Sequence, residues 1–377
     1  MNTKGPLSHI RVIEMAGLGP CPLAGQLLGD LGAEVIVIDR ASGVADPKDI
    51  NRRNKTSVAL NLKSGRGTEA ALRLIESADV LIEGYRPGVM ERLGLGPTDC
   101  HARNPGLVYG RMTGWGQTGP LAMRAGHDIN YMSLSGALAA MGPKDSVPMP
   151  PLNLVADYGG GTMFLIFGVL SALLERQQSG KGQVVDAAIV DGVPAMMGVF
   201  FSMLQSGIWE TQREHNMLDG GAPYYRCYET SDGKWISVGP IEPQFFAVLC
   251  EKAGLKHVGP KEQVNKENWP VLSAAYADVF RTKTRDAWAD LFADTDACVA
   301  PVLTMDEVEA HPHNAARNIF FRQDGVLQPS PAPRFDRTPA GPVAPPHAPG
   351  ADTEAVLLSI GYSAEEIAGI KAAGALS

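Results

Sequence analysis

Short runs rich in valine and isoleucine alternate with helical segments from Ile10 to Met112, and no other feature of this chain restricts its fold so tightly. The pattern predicts strands over 10–14, 34–38, 57–62, Val80–Glu83 and 107–112, with a further one at Val184–Ala188. Between them, 22–31 reads as a helix opened by proline and closed by Gly32, and 67–76 as a second. Strands that alternate with helices pair in parallel and need cover on both faces, so the expected class is α/β.

A chain of 377 residues is long enough for two domains, and 45% hydrophobic with 20% charged residues is ordinary for a packed globular protein. The net charge of −8 argues against a nucleic-acid partner, because a phosphate backbone needs a basic face. It leaves room for one local basic pocket. The five cysteines (Cys21, Cys100, Cys227, Cys250 and Cys298) form no C-x-x-C pair, which fits a reducing compartment and neither a disulfide framework nor a zinc site. No apolar signal core follows Met1, and Ala375-Leu376-Ser377 does not match a peroxisomal signal, so a cytoplasmic location is expected. The apolar runs 163–174 and 193–204 each fall short of the roughly 20 residues that cross a bilayer. They are expected as buried helices, with no membrane partner.

A concentrated basic region stands out on this acidic protein. Arg40 follows the second expected strand, where an open α/β sheet places its ligand crevice. Arg52, Arg53 and Lys55 precede the third strand, Lys63 and Arg66 follow it, and Arg86 and Arg92 are further candidates. Together they suit a polyphosphate such as the ADP portion of coenzyme A. The loop Gly17-Leu18-Gly19-Pro20, with Asp39 where a ribose-binding acid would stand, imitates a dinucleotide fingerprint. Pro22 replaces the third glycine, which argues against nicotinamide binding.

The residues best suited to chemistry lie mid-chain. Gly126-His127-Asp128-Ile129-Asn130-Tyr131 follows a glycine-dense loop at 113–120, and Asp157 precedes Gly159-Gly160-Gly161. Histidine exchanges a proton near neutral pH. Asp157 is expected to open a helix running to Arg176, held anionic by free backbone N–H groups, with its own N–H as donor to an enolate oxygen. Two such groups on opposite faces of one carbon can remove and return a proton. Further on, 209–226 reads as a crossing linker, with a hairpin around Ser231-Asp232-Gly233 and helices at 244–253, 271–280 and Arg285–Phe292. Proline-dense 328–350 reads as a connector to terminal helices at 353–358 and 364–373.

The segments 111–117, 126–131, 151–157, 179–183, 216–223 and 241–245 together closely resemble the α-methylacyl-CoA racemase family, a branch of the class III CoA-transferases. The resemblance runs from Ile10 to about Arg334 and fades from Pro339 onward. It implies a Rossmann-like large domain built from both chain ends and a smaller α+β domain. Two subunits interlock as a homodimer, with the active site between the large domain of one and the small domain of the other. Combined with the breaks above, this gives a large domain at 1–190, a linker at 191–223, a small domain at 224–327 and a return to the large domain at 328–377.

The implied activity interconverts (R)- and (S)-2-methylacyl-CoA thioesters by 1,1-proton transfer through an enolate. No metal or cofactor is expected beyond the CoA of the substrate itself. On the family pattern His127 and Asp157 match the acid/base pair, and Glu242 matches an acid contributed across the dimer interface. Pro240 is a small departure beside it. Arg40, Leu60, Asn61, Leu62, Lys63, Gly126, Asp128, Ile129, Asn130 and Tyr131 match the acyl-CoA-binding region, to which the basic-region argument adds Arg52 and Lys55. The alternative is a transferase of the same family with Asp157 as nucleophile. The acyl chain stays open among branched fatty, sterol and arylpropionyl groups.

Overall fold

The computed structural model describes residues 5–376. Six strands, β1 (Arg11–Met15), β2 (Glu34–Asp39), β3 (Lys55–Ala59), β4 (Val80–Glu83), β5 (Val108–Thr113) and β6 (Val184–Ala188), form a parallel sheet in the order β3-β2-β1-β4-β5-β6. Parallel neighbours need crossovers, and α1 (Pro20–Asp30) and α2 (Gly65–Glu76) supply two of them. The α/β expectation holds. Only β3 moves appreciably from its expected place, beginning at Lys55 and ending at Ala59. Strand order reverses between β1 and β4, so their C-terminal ends open a crevice of the kind where such sheets take ligands.

By internal contacts the chain divides into two units. The first takes residues up to Ser135, then Leu152–Met196, then everything from Arg317 onward, so both chain ends build it. Ile13, Ile36, Leu81 and Tyr109 of the sheet pack there with Leu74 and Ile75 of α2 and with Leu357 and Ile370 from the C-terminal helices Thr353–Ser359 and Ala364–Ala372.

Three further helices of this unit shape the crevice: α3 (Asp128–Ser135), a π-helix at Leu154–Met163 that runs on into α4 (Phe164–Ser179), and α5 (Ile189–Met196). The winding at 154–163 has no counterpart in the sequence expectation, which opened an ordinary helix at Asp157. Because the two windings are continuous, Leu154–Ser179 forms 26 residues, within which a stretch of 18 reaches a mean hydropathy of 1.4. By length and composition alone that is enough to cross a bilayer, which corrects the expectation of short apolar runs. One side of α4 packs on β5 and β6, while Phe167 and Leu174 stay 71% and 63% exposed on another.

The second unit comprises 136–151 and 197–316. Its antiparallel sheet joins β7 (Arg226–Glu229), β8 (Trp235–Val238) and β9 (Val299–Pro301). α6 (Pro243–Ala253), α7 (Trp269–Phe280) and α8 (Arg285–Phe292) contribute to an aromatic core with Tyr228, Phe246, Tyr276, Phe280 and Trp288. The β7–β8 hairpin and all three helices stand where expected. β9 was invisible, being three residues long and ending in proline.

Candidate active site

A cavity of about 300 Å³ lies at the C-terminal ends of β1, β4 and β5, lined by Gly19, Cys21, Gly84, Thr113, His127 and Asp157 among others. His127 and Asp157 come from separate elements and meet here. His127 immediately precedes α3, its N–H donating to Asn130 Oδ1 at 3.0 Å and its carbonyl accepting from the Asn130 and Tyr131 N–H groups at 2.8 and 3.3 Å. Its backbone is therefore fixed while its side chain stays exposed. Tyr131 forms an adjoining wall. Its ring meets Trp115 edge-on at 4.7 Å, and its hydroxyl donates to the Gly126 carbonyl at 2.5 Å. That ring fits only because residue 114 is glycine, where a Cβ would lie 2.0 Å from it.

Asp157 sits in the first turn of the π-helix, and two observations overturn its expected electrostatics. Its N–H donates to Asp128 Oδ2 at 2.9 Å, so it is not free for an enolate oxygen. Burial, helped by the charge of Asp128, pushes its carboxyl above the usual range, against the opposing pulls of Asn153 and His127. The sequence expected an anion stabilised by a helix start. The structure gives a carboxyl that holds a proton more readily than most, closer to what acid–base work near neutrality needs.

The Gly17–Leu18–Gly19–Pro20 loop belongs to the wall of this cavity. Gly19 has φ of 73°, and a Cβ there would lie 3.7 Å from Asp157 Oδ2. Pro20 and Pro22 strip N–H groups from the start of α1, which leaves a poor phosphate cradle.

Two further cavities adjoin. One of about 290 Å³ shares Gly84, Thr113, Gly126, His127 and Tyr131 with the first and adds Arg86 and Arg124. The other, about 570 Å³, is bounded by Arg40, Leu60, Asn61, Leu62 and Lys63 and meets the second at Tyr85. There the Arg40 guanidinium lies over the Tyr85 ring, 5.4 Å from its centre. The three together form a track from cationic rim to proton carriers. Residues 60–63 are fastened from below by the C-terminal segment, through Asn61 N–H to Ala375 O at 2.9 Å and Asn61 Nδ2 to Gly374 O at 3.0 Å.

Several expected ligand residues do not face this track. The Lys55 ammonium is buried against Glu14 at 2.6 Å and the Pro22 carbonyl at 2.8 Å. Arg52 is bound to Asp39 at 2.6 Å, and Arg53 to Asp30 at 2.6 Å. Each of these cations, Arg52 and Lys55 among the residues expected at CoA, is thus paired with a carboxylate of the protein, Lys55 and Arg53 in its interior and Arg52 with 20% of its side chain exposed. Asp128 is 8% exposed and turned onto Asp157, the Asn130 carboxamide serves His127, and Ile129 is an exposed residue of α3. Arg124 went unnoticed in the sequence because it lies in a loop with no pattern of its own. Glu242 stands in the second unit, exposed at the N-cap of α6.

Beneath the cavity lies a buried acid the sequence did not reveal. Glu83, at the end of β4, accepts from the Tyr85 N–H at 2.7 Å and from Arg111 Nε at 3.1 Å, and burial pushes its carboxyl up to about 7.

The mouse protein named alpha-methylacyl-CoA racemase is 43% identical over 363 residues, covering 96% of this chain and 95% of that protein. The human protein of the same name is 42% identical over 364 residues, with the same coverage of 96% and 95%. A solved structure of a hypothetical protein from Mycobacterium tuberculosis superposes with a TM-score of 0.78 at 28% identity, covering 95% of this chain and 100% of that one. The model of CoA-transferase family III matches residues 7–353, and the chain belongs to that family.

Proposed function

We propose that this protein is an α-methylacyl-CoA racemase that interconverts (R)- and (S)-2-methylacyl-CoA thioesters by two-base proton transfer. The observation that carries the reading is the convergence of His127 and Asp157 on one cavity, with the Asp157 carboxyl held above its usual range. His127 removes the C2 proton from one enantiomer, an enolate forms, and protonated Asp157 returns a proton to the opposite face. For the other enantiomer the roles exchange. The enolate oxygen needs a donor, and the Asp157 N–H is taken. The first N–H groups of α3, at Asp128 and Ile129, have no partner within their helix and point toward its N-terminal end, beside His127.

The track of cavities suits the rest of the substrate. Phosphates of the ADP portion rest on Arg40 and Lys63, the pantetheine arm passes Tyr85 and Arg86, and the thioester reaches His127. Proton transfer through an enolate calls for neither metal nor redox chemistry, and CoA enters only as part of the substrate. The working form in this reading is an interlocked homodimer in the cytoplasm, with Glu242 supplied by the partner copy. Supporting that assembly, Met163, Phe167, Leu170 and Leu174 lay an exposed apolar stripe along the π-helix and α4.

The test is incubation of the protein with a single enantiomer of a 2-methylacyl-CoA in D₂O. Deuterium at C2 with loss of optical purity is expected, and His127→Ala and Asp157→Ala should each slow it by about 10²–10⁴-fold. No exchange, with acyl transfer to a free acid instead, would replace the racemase by a transferase using Asp157 as nucleophile.

A further inference from the structure

We propose that Asp128 is a positioning residue, bracing His127 and Asp157 against each other through a single buried carboxylate. The inference rests on the racemase reading for the meaning of the pair, though not for its geometry. Asp128 is the first residue of α3, bonded through its own backbone to His127. Its side chain leaves that helix and accepts the Asp157 N–H through Oδ2 at 2.9 Å. That N–H belongs to the first turn of the π-helix, where backbone donors lack a partner inside the helix. One residue thus caps the element carrying the acid and adjoins the residue serving as base.

Its other oxygen, Oδ1, is shielded from solvent and has no hydrogen-bond partner among the described residues. Nothing neutralises that half of the carboxylate, so its charge bears on Asp157. The titratable groups facing Asp157 are His127, Asp128 and Tyr131 on the α3 side and Cys21 from α1, while α5 presents apolar Ile189. Of these, Asp128 alone opposes ionisation of Asp157 by charge while also holding its backbone. A neighbouring acid that disfavours ionisation of Asp157 leaves the Asp157 carboxyl better able to carry a proton.

Two substitutions separate the two effects. Asp128→Ala removes both acceptor and charge, and kcat for C2 exchange should fall by about 10²-fold with KM for the acyl-CoA unchanged. Asp128→Asn keeps a near-isosteric acceptor without charge. It should recover most of that loss while Asp157 titrates at lower pH than in the parent. The titration is followed by ¹³C NMR of protein labelled at the aspartate carboxyls, with the signal assigned by its loss in Asp157→Asn. This readout does not depend on the reaction catalysed, so absence of C2 exchange in the parent overturns the racemase reading separately. A KM that rises at constant kcat would make Asp128 a ligand contact and overturn the proposal. So would an Asp157 titration unmoved in Asp128→Asn, and that variant carries the test should the alanine variant not fold.

Discussion

The two ends of β3 carry cations of the same kind with opposite fates. Before the strand and at its start, Arg52, Arg53 and Lys55 are each matched to a carboxylate, and the Lys55 and Arg53 side chains are only 2% and 1% exposed. Beyond it, Lys63 is exposed and forms no ion pair among the described residues, and Arg40, across the crevice, leans on Tyr85. Sequence proximity made these one basic patch. What separates them is whether a neighbouring strand or helix supplies a buried acid, as β1 does with Glu14 and α1 with Asp30. The inner group holds the edge of the sheet together, and the outer group is the one that the proposed function sets against the phosphates of the ligand.

The comparison breaks most visibly at Lys55. Lys55→Ala leaves Glu14 buried and unpaired, which should destabilise the fold by about 3–5 kcal/mol in denaturant unfolding. The double change Glu14→Leu with Lys55→Met, which removes both charges at similar volume, should recover most of that loss. A stable Lys55→Ala protein with a raised KM for acyl-CoA would return Lys55 to the ligand site.

The outer group should behave inversely. Lys63→Ala is expected to leave the unfolding midpoint where it was and to raise KM for the acyl-CoA about tenfold, the usual worth of one charge-assisted hydrogen bond. If Lys63→Ala loses stability with no change in KM, the distinction between inner and outer cations fails.

How much of this was legible in the sequence depends on the range of the interaction involved. The sheet was readable because each strand and helix signals itself over a few residues, and β4 and β6 fall at Val80–Glu83 and Val184–Ala188 as expected. His127 and Asp157 were legible as chemical types beside structural breaks. What escaped was everything set by contact between distant segments. The π-helix around Asp157, the Asp128–Asp157 bond across 29 residues, and the docking of residues 374–375 under Asn61 depend on partners that no local pattern names. The sign of the Asp157 shift was missed for the same reason, since a helix start lowers a carboxyl only when its N–H groups face it and neither burial nor a second acid outweighs them.

Glu83 gives the smallest and most selective test, because it lies between the two classes of buried charge. Like Glu14, whose carboxyl burial also raises against the pull of Lys55, it is buried beside a cation, and its Arg111 is shared with exposed Glu91, bonded at 2.8 Å. Burial therefore wins, and its carboxyl rises from 4.5 to about 7. Across that interval the folded protein holds a proton that the unfolded chain has released. The contribution to stability is complete below 4.5 and is lost as pH rises toward about 7. Glu83→Gln should flatten the fall in unfolding free energy over that window, measured by denaturant titration at successive pH values. Because Arg111 keeps Glu91 as a partner, the variant should still fold. A pH slope identical to the parent's would show that Arg111 holds Glu83 ionised.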